Sequence, residues 1–295
     1  MSPRKPRPTE PTAPPEPPPP AVEPVGSVEP AVQAVDPGPP PPPRRVFLVS
    51  RRRSGDREPH FDDFEIEIGP DDTVLDALLR IRRTREPTLV VRHSCMHASC
   101  GTCGVRINGR EALACDTKVE AISPEPPKPI DPAAPIKPIK PIKLEPLANQ
   151  RHVADLATDM VDFYARFDAV GLPLVRNAEV APGVEPPAEL KAFGRFENCI
   201  ECGLCLSACP IARTNHDYIG PAALAAAARV VEEPRGRDLG VVLAIAAEPD
   251  SVWRCRDAME CSVVCPSAVE PALALFTLRR HIAANGARRF FGRGV

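Results

Sequence analysis

The chain has 295 residues, a formal net charge of −2 and only 4% aromatic residues. A balance so close to neutral gives no general attraction to nucleic acid or to anionic lipid, so we expect no nucleic-acid partner. The most apolar stretches, 221–231 and 240–247, are shorter than the ~18 residues that a membrane helix needs. The basic first ten residues run into proline without an apolar segment, which argues against a secretory signal.

Two proline-rich segments divide the chain. Residues 1–44 hold 18 of the 40 prolines and almost no bulky apolar side chains, which predicts a disordered or polyproline tail. A second segment, 123–143, ends in IKPIKPIK, where isoleucine and lysine each recur at every third residue. We interpret it as a solvated, semi-rigid spacer, with a basic contact strip for a partner or for lipid headgroups as the alternative.

The sequence between these segments combines strand and helix patterns. Residues 46–51 and 64–69 alternate as the strands of a hairpin do, and 73–84 carry an apolar stripe at helical spacing. After a cysteine-rich loop, two short strands flank the Asn108-Gly109 turn. This order of elements predicts a β-grasp domain over 45–122.

Helical spacing dominates the rest of the chain. Apolar residues from Val153 to Phe167 predict one helix, the sequence after Gly220-Pro221 predicts a second, and a last helix is expected from about Pro271. We therefore predict an α-helical domain over 144–295, and an α+β fold class for the whole chain.

All eleven cysteines fall into three runs, with none left over. The runs are Cys95, Cys100, Cys103 and Cys115 (C-x4-C-x2-C-x11-C), then Cys199, Cys202, Cys205 and Cys209 (C-x2-C-x2-C-x3-C), and last Cys255, Cys261 and Cys265 (C-x5-C-x3-C). The first spacing is that of plant-type ferredoxins, and the second is the bacterial ferredoxin run. An odd cysteine count in such clusters favours metal ligation in a reducing compartment over disulfides. The pattern predicts iron–sulfur clusters and the transfer of single electrons.

Zinc is the main alternative metal for these thiols. Structural zinc sites use two separate C-x2-C pairs, whereas 199–209 is one continuous run of four thiols. A Rieske centre needs two histidine ligands, and the first run offers only His97. The alternative of a different class is therefore a zinc-stabilised interaction protein with proline-rich tails.

The second and third runs are interpreted together. In two-cluster ferredoxins the fourth cysteine of each run ligates the other cluster. Applied here, this predicts one [4Fe–4S] cluster and one further cluster, beside a [2Fe–2S] cluster at the first run. The expected ligands are Cys95, Cys100, Cys103 and Cys115 for [2Fe–2S], Cys199, Cys202, Cys205 and Cys265 for [4Fe–4S], and Cys209, Cys255 and Cys261 for the last cluster.

Position 258 decides the nature of the last cluster. A complete third run would have a cysteine there, but the residue is Ala258. Three thiolates and a methyl group predict a [3Fe–4S] cluster, because a fourth iron has no ligand. The alternative is a labile [4Fe–4S] cluster completed by water or by Asp257.

Four stretches carry a resemblance to a known family. They are HSCMHASCGTCGVRINGREALAC, CIECGLCLSACP, YIGPAALAAAARVV and SVWRCRDAMECSVVCP, all within about 46–285. The chain resembles the iron–sulfur subunit of the succinate dehydrogenase/fumarate reductase family. The resemblance implies an N-terminal β-grasp plant-type ferredoxin domain followed by an α-helical ferredoxin-like domain that holds two clusters.

The resemblance also implies a function. Electrons would pass through the [2Fe–2S], [4Fe–4S] and [3Fe–4S] clusters, between an FAD-containing flavoprotein subunit and a quinone at membrane-anchor subunits that can bear heme. Succinate or fumarate would react on the flavoprotein, so no catalytic residue is expected on this chain. The implied setting is the tricarboxylic acid cycle and the respiratory chain, peripheral on the cytoplasmic face of the cell membrane.

Two positions depart from the succinate dehydrogenase branch of that family. A quinone-site tryptophan and histidine of that branch correspond here to Thr214 and Arg256. The length from Cys209 to Gly220 resembles the fumarate reductase branch more closely. The runner-up is an electron-transfer subunit of a heterodisulfide or glycolate-type reductase, which would have two complete four-cysteine runs.

Overall fold

The computed structural model describes residues 43–53, 56–124, 139–171, 194–232 and 239–291. Almost all of the predicted tail over 1–44 and most of the 123–143 spacer lie outside these ranges. The described residues belong to one compact unit that spans Pro42–Val295.

Five strands form a mixed sheet with the order β2-β1-β5-β3-β4. They are β1 (Arg44–Arg51), β2 (His60–Glu67), β3 (Gly104–Ile107), β4 (Arg110–Leu113) and β5 (Ile142–Glu145). The predicted hairpins are present, although β2 begins four residues earlier than the sequence indicated. Asn108 and Gly109 join β3 to β4 with φ of 52° and 84°, the left-handed pair that a tight hairpin turn needs.

Helix α1 (Val74–Thr84) covers one face of this sheet. Thr73 caps it, because its hydroxyl accepts from the amide of Asp76 while the Asp76 carboxylate accepts from the Thr73 amide. The buried face of the helix (Val74, Leu75, Ala77, Leu78 and Ile81) belongs to the sheet's core. The Leu75 amide donates to the Ala114 carbonyl at 2.9 Å, which ties the start of α1 to the strand end beside the fourth cysteine. A short helix α2 (Val119–Ile122) follows.

The expected boundary between the spacer and the helical domain differs from the structure. Ile142–Glu145 is a strand of the first sheet, parallel to β1 and antiparallel to β3. The spacer therefore ends earlier than residue 143, and its last residues complete the sheet of the first domain.

The helix expected from Val153 is also wrong in its first half. His152–Ala154 (β6) and Ala157–Thr158 (β7) form a two-stranded hairpin, and the helix α3 spans only Val161–Ala169. Asp155 explains the difference: its side chain is 1% exposed and accepts from Arg51 Nε, the Arg52 amide and the Val90 amide at 2.9–3.1 Å. These buried polar contacts fix the turn, and they outweigh the apolar periodicity.

In the described ranges after residue 193, the structure has six further helices and two 3₁₀ turns. They are the 3₁₀ turn Gly194–Asn198, α4 (Leu204–Ala208), α5 (Pro210–Thr214), α6 (Pro221–Glu232), α7 (Leu239–Ala246), the 3₁₀ turn Val252–Arg254, α8 (Glu260–Val263) and α9 (Pro271–Phe291). The predicted starts of α6 and α9 are confirmed. Ten of the twelve residues of α6 are buried, six of them alanines, and such small side chains let neighbouring elements approach closely. Within the described ranges, no helix combines the length and apolarity that crossing a bilayer requires.

Candidate metal centres

The loop between α1 and β3 surrounds the sulfur of Cys95 with backbone amides. The amides of His97, Ser99 and Cys100 lie 3.3–3.5 Å from this sulfur. Left-handed backbone at three positions (Met96, Ala98 and Gly101, with φ of 60–68°) turns these N–H groups toward the thiol side of the loop. The loop is therefore shaped to stabilise negatively charged sulfur.

The four thiols of this first run have contrasting environments. Amide donation, first from His97, lowers the pKa of the Cys95 thiol to about 7. Burial raises the pKa of Cys103 to about 12. The Cys115 sulfur accepts from the Ala98 amide at 3.2 Å. The Cys95 thiol at the rim therefore ionises easily. The Cys103 thiol, beneath the loop, releases its proton only when a metal binds.

The middle cavity, of about 390 Å³, lies in the helical part. Four thiols line it together: Cys199, Cys202, Cys205 and Cys265. Its other walls are mainly apolar, with Phe163, Ile200 and Val269 among them. Burial raises the pKa of Cys202 to about 11, because the apolar walls disfavour the charged form.

The third cavity, of about 340 Å³, has only three thiols on its walls. These are Cys209, Cys255 and Cys261, and Ala258 lies on the same wall. Burial raises the pKa of Cys261 to about 12. Cys209 and Cys265 thus face cavities opposite to those of their own runs, which is the exchange that the ferredoxin pattern predicts.

The carboxylate of Asp257 lies beside the third cavity, where its Oδ1 accepts from the Cys255 thiol at 3.6 Å. It pairs with Arg279 of α9, with 2.8 Å between Oδ1 and Nη1. The same guanidinium donates from Nη2 to the carbonyls of Val252 and Cys255 at 3.1 and 2.7 Å. Arg279 therefore fixes the loop that carries Cys255. Nothing in the sequence predicts this role, beyond a charge beside the apolar stripe of the last helix.

A second unpredicted group holds the middle run. The side-chain amide of Asn149 donates to the carbonyls of Leu206, Ser207 and Cys209 at 2.8–3.0 Å, and caps the end of α4. Gln150 Nε2 donates to the Gly203 carbonyl at 3.3 Å. The segment directly after β5 thereby positions the thiols on both sides of α4.

The first and middle runs touch through Gly101 and Cys202. A Cβ atom on Gly101 would lie 2.7 Å from Cys202 Cβ and from the Ile200 carbonyl, so only glycine permits this approach. Beside it, the Ser207 hydroxyl donates to Glu111 of β4 at 2.8 Å. The middle and third cavities share α4, with Cys205 on one and Cys209 on the other. The three thiol groups therefore follow one another in series.

Other residues singled out by the sequence lie at the edges of these sites. Arg256 is exposed on the wall of the third cavity, and Thr214 is exposed and donates to the Ile211 carbonyl. Trp253 is exposed and stacks near Arg279, 5.9 Å from ring centroid to guanidinium. His97 is an exposed loop residue whose ring contacts the Cys95 carbonyl.

The donor sets fit iron–sulfur clusters. Among the described residues, no three His, Cys, Asp or Glu side chains meet as closely as the ligands of one ion do. The seven thiols of the helical part line the walls of two cavities instead, with soft sulfur as the predominant donor. Thiolates spread over a cavity wall suit a group of several iron ions.

Comparisons with known proteins agree with this chemistry. The family described as 2Fe-2S iron-sulfur cluster binding domain matches residues 46–165, and that described as 4Fe-4S dicluster domain matches 195–269. The fold is similar to a chain of the Mycobacterium smegmatis Sdh1 complex in the apo form, with a TM-score of 0.69 and 22% identity over 82% of this chain and 96% of that one. The predicted fold class and the three cluster types are confirmed.

Relatives of known identity cover nearly all of the described sequence. The fumarate reductase iron-sulfur subunit of Mycobacterium tuberculosis is 36% identical over 239 residues, which is 79% of this chain and 90% of the relative. The succinate dehydrogenase iron-sulfur subunit of Coxiella burnetii is 33% identical over 231 residues, 76% of this chain and 90% of the relative. This chain belongs to the family of fumarate reductase and succinate dehydrogenase iron–sulfur subunits.

Proposed function

We propose that this chain relays single electrons between a flavoprotein subunit, where succinate or fumarate reacts, and a quinone at a membrane anchor. The observation that carries the proposal is the order of the three thiol groups: the first run meets the middle one at Gly101 and Cys202, and the middle and third cavities have Cys205 and Cys209 of one run on their walls. As a member of its family, the chain is a peripheral subunit of an oxidoreductase complex with flavoprotein and anchor partners.

We assign the ligands of each cluster by the loop or cavity that the thiols line. Those of the first run hold a [2Fe–2S] cluster, those of the middle cavity a [4Fe–4S] cluster, and those of the third cavity a [3Fe–4S] cluster. When bound, these clusters accept and release one electron at a time. The full assignment is Cys95, Cys100, Cys103 and Cys115; then Cys199, Cys202, Cys205 and Cys265; and last Cys209, Cys255 and Cys261.

The other residues of the sites set the conditions for this transfer. Amides directed at Cys95 stabilise added negative charge in the first loop, whereas the apolar walls of the middle cavity exclude water and disfavour it. Surroundings this different give neighbouring sites different reduction potentials. The Gly101 contact keeps the first and middle sites close enough for direct electron transfer.

The third site is proposed as the exit toward the membrane. Arg256 and Met259 are exposed at its rim. Trp253 and Val263 lie close by in the chain, and with Met259 they are exposed apolar side chains. Such a patch beside a redox site suits an anchor subunit, with quinone and any heme on the anchor's side. The complex would place this chain on the cytoplasmic face of the membrane.

Low-temperature EPR on the purified complex tests the proposal. As isolated in air, the complex should give an oxidised-state signal from a three-iron cluster. Mild reduction should remove this signal while a [2Fe–2S] signal appears. Absence of the oxidised-state signal would contradict the assignment of the third cavity, and a chain that contains zinc in place of iron would contradict the redox function altogether.

A further inference from the structure

Tyr218 is a polar residue of the third cavity that the proposed ligands leave without a role. Its side chain is 1% exposed and lies on the cavity wall with Cys209, Cys255 and Cys261. Only its backbone carbonyl and amide form hydrogen bonds with residues that the structure describes, so the hydroxyl has no acceptor among them. A hydroxyl on this wall still seeks an acceptor, and a ligand in the cavity is the partner that its position offers.

The backbone around Tyr218 is held on both sides. Its carbonyl accepts from the Arg166 guanidinium, and the next amide, that of Ile219, donates to the Asp250 carbonyl at 3.1 Å. Asn215 Nδ2 binds the Asp250 carboxylate at 2.9 Å and so ties the same two segments together. The ring is thus fixed on the cavity wall before any ligand arrives.

The chemistry at the hydroxyl favours a sulfur acceptor. Cys209, Cys255 and Cys261 line the same cavity as Tyr218, and sulfur is the donor atom that these three side chains offer to a metal. The middle cavity has no tyrosine on its wall, and the aromatic residues there are Phe163 and Phe196. The hydroxyl therefore distinguishes the third cavity from the middle one.

We propose that the Tyr218 hydroxyl donates a hydrogen bond to a sulfur in the third cavity, either a cysteine thiolate or a cluster sulfide, and raises the reduction potential there. Reduction adds negative charge to the sulfur atoms, and a fixed donor stabilises the reduced form more than the oxidised one. This inference rests on the proposed [3Fe–4S] assignment and adds a residue that tunes it.

The test is Tyr218→Phe in the intact complex, with each cluster's potential followed by EPR during a redox titration. We expect the one-electron equilibrium of the third cluster to shift about tenfold toward the oxidised form, which is about 59 mV. The potentials of the other two clusters and the iron content should not change. Pulsed EPR in ordinary and in deuterated buffer should also identify the exchangeable protons coupled to the third cluster. The variant should lack one of them.

Tyr164→Phe is the matched control, because it removes the same atom from the only other tyrosine, which is 47% exposed on α3. It should leave the third cluster's potential and proton couplings unchanged. An unchanged potential and unchanged couplings in Tyr218→Phe, with the three-iron signal intact, would overturn the inference. A wild-type complex without a three-iron signal would overturn the cluster assignment, and the inference with it.

Discussion

Ala258 occupies the place on the third cavity's wall where a complete ferredoxin run has a thiol. The nearest alternative ligand, Asp257, already has a partner. Its Oδ1 pairs with Arg279 Nη1 at 2.8 Å, so binding a fourth iron would break this ion pair. The methyl group on the wall and the paired carboxylate both favour three iron ions over four.

Ala258→Cys should convert the third cluster to [4Fe–4S]. The new thiolate supplies the ligand that a fourth iron lacks, and its negative charge should lower the cluster's reduction potential. We expect one more iron per chain, loss of the oxidised-state EPR signal and slower electron delivery to quinone. Ala258→Ser is the control of similar size, since a neutral hydroxyl is a much poorer iron ligand. If Ala258→Cys keeps the three-iron signal and the iron content, the grouping of thiols proposed here is incorrect.

At the scale of elements, the three cysteine loops share one backbone device. Each has left-handed residues at two alternate positions: Met96 and Ala98 in the first, Glu201 and Gly203 in the middle, and Asp257 and Met259 in the third. This alternation turns successive N–H groups to one side of the loop and forms a concave site for negative charge. Most of these residues are not glycine, so the loops hold some backbone strain that the bound clusters must offset.

Gly101→Ala should separate the first and middle clusters. The added Cβ would lie 2.7 Å from Cys202, and φ of 68° adds about 1–2 kcal/mol of left-handed strain. The relaxation of the [2Fe–2S] EPR signal by the neighbouring cluster should weaken, and electron transfer between the two should slow.

Gly109→Ala is the control that adds left-handed backbone strain without a steric contact. Its φ is 84°, but a Cβ there meets no atom within 4 Å. This variant should cost a similar left-handed strain and leave the magnetic coupling between the clusters at its wild-type value. Equal coupling in the two variants would show that the Gly101 contact does not set the distance between the sites.

The cysteine spacing was enough to predict which thiols of the helical part share a cavity, because the ferredoxin pattern specifies that the last cysteine of each run changes places. The alternating strands, the Asn108-Gly109 turn and the proline-started helices were also predictable, since each depends on local sequence alone. The hairpin at Asp155, the contacts of Arg279 and the position of Tyr218 were not. The side chains of Asp155 and Arg279 bind partners between 22 and 104 residues away, and Tyr218 shares its wall with Cys255 and Cys261, so no local pattern records these contacts.

For the whole molecule, the segment 142–158 joins the two halves of the fold. It supplies a strand to the first sheet, caps the middle cysteine run through Asn149, and ends in the hairpin that Asp155 fixes to β1. The first matched family extends to residue 165, which agrees with this continuation of the sheet domain beyond 122. A substitution that loosens the hairpin should therefore lower the stability of the neighbouring sheet, even though it changes no cysteine.

Asp155→Asn is the prediction at this scale. It removes the carboxylate that compensates the charge of buried Arg51. Breaking a buried ion pair destabilises the fold by about 3 kcal/mol at the low end of the usual range. The low end applies here because Asp62 and Glu86 still contact the guanidinium. Hydrogen exchange in the intact complex should show protection of the Arg52 and Val90 amides, which donate to Asp155, falling about a hundredfold. Asp62→Asn is the control, because Asp62 also pairs with Arg51 but is half-exposed. It should lower protection at these amides less than tenfold. A larger loss in Asp62→Asn than in Asp155→Asn would mean that the outer pair, and not the buried one, holds the hairpin to the sheet.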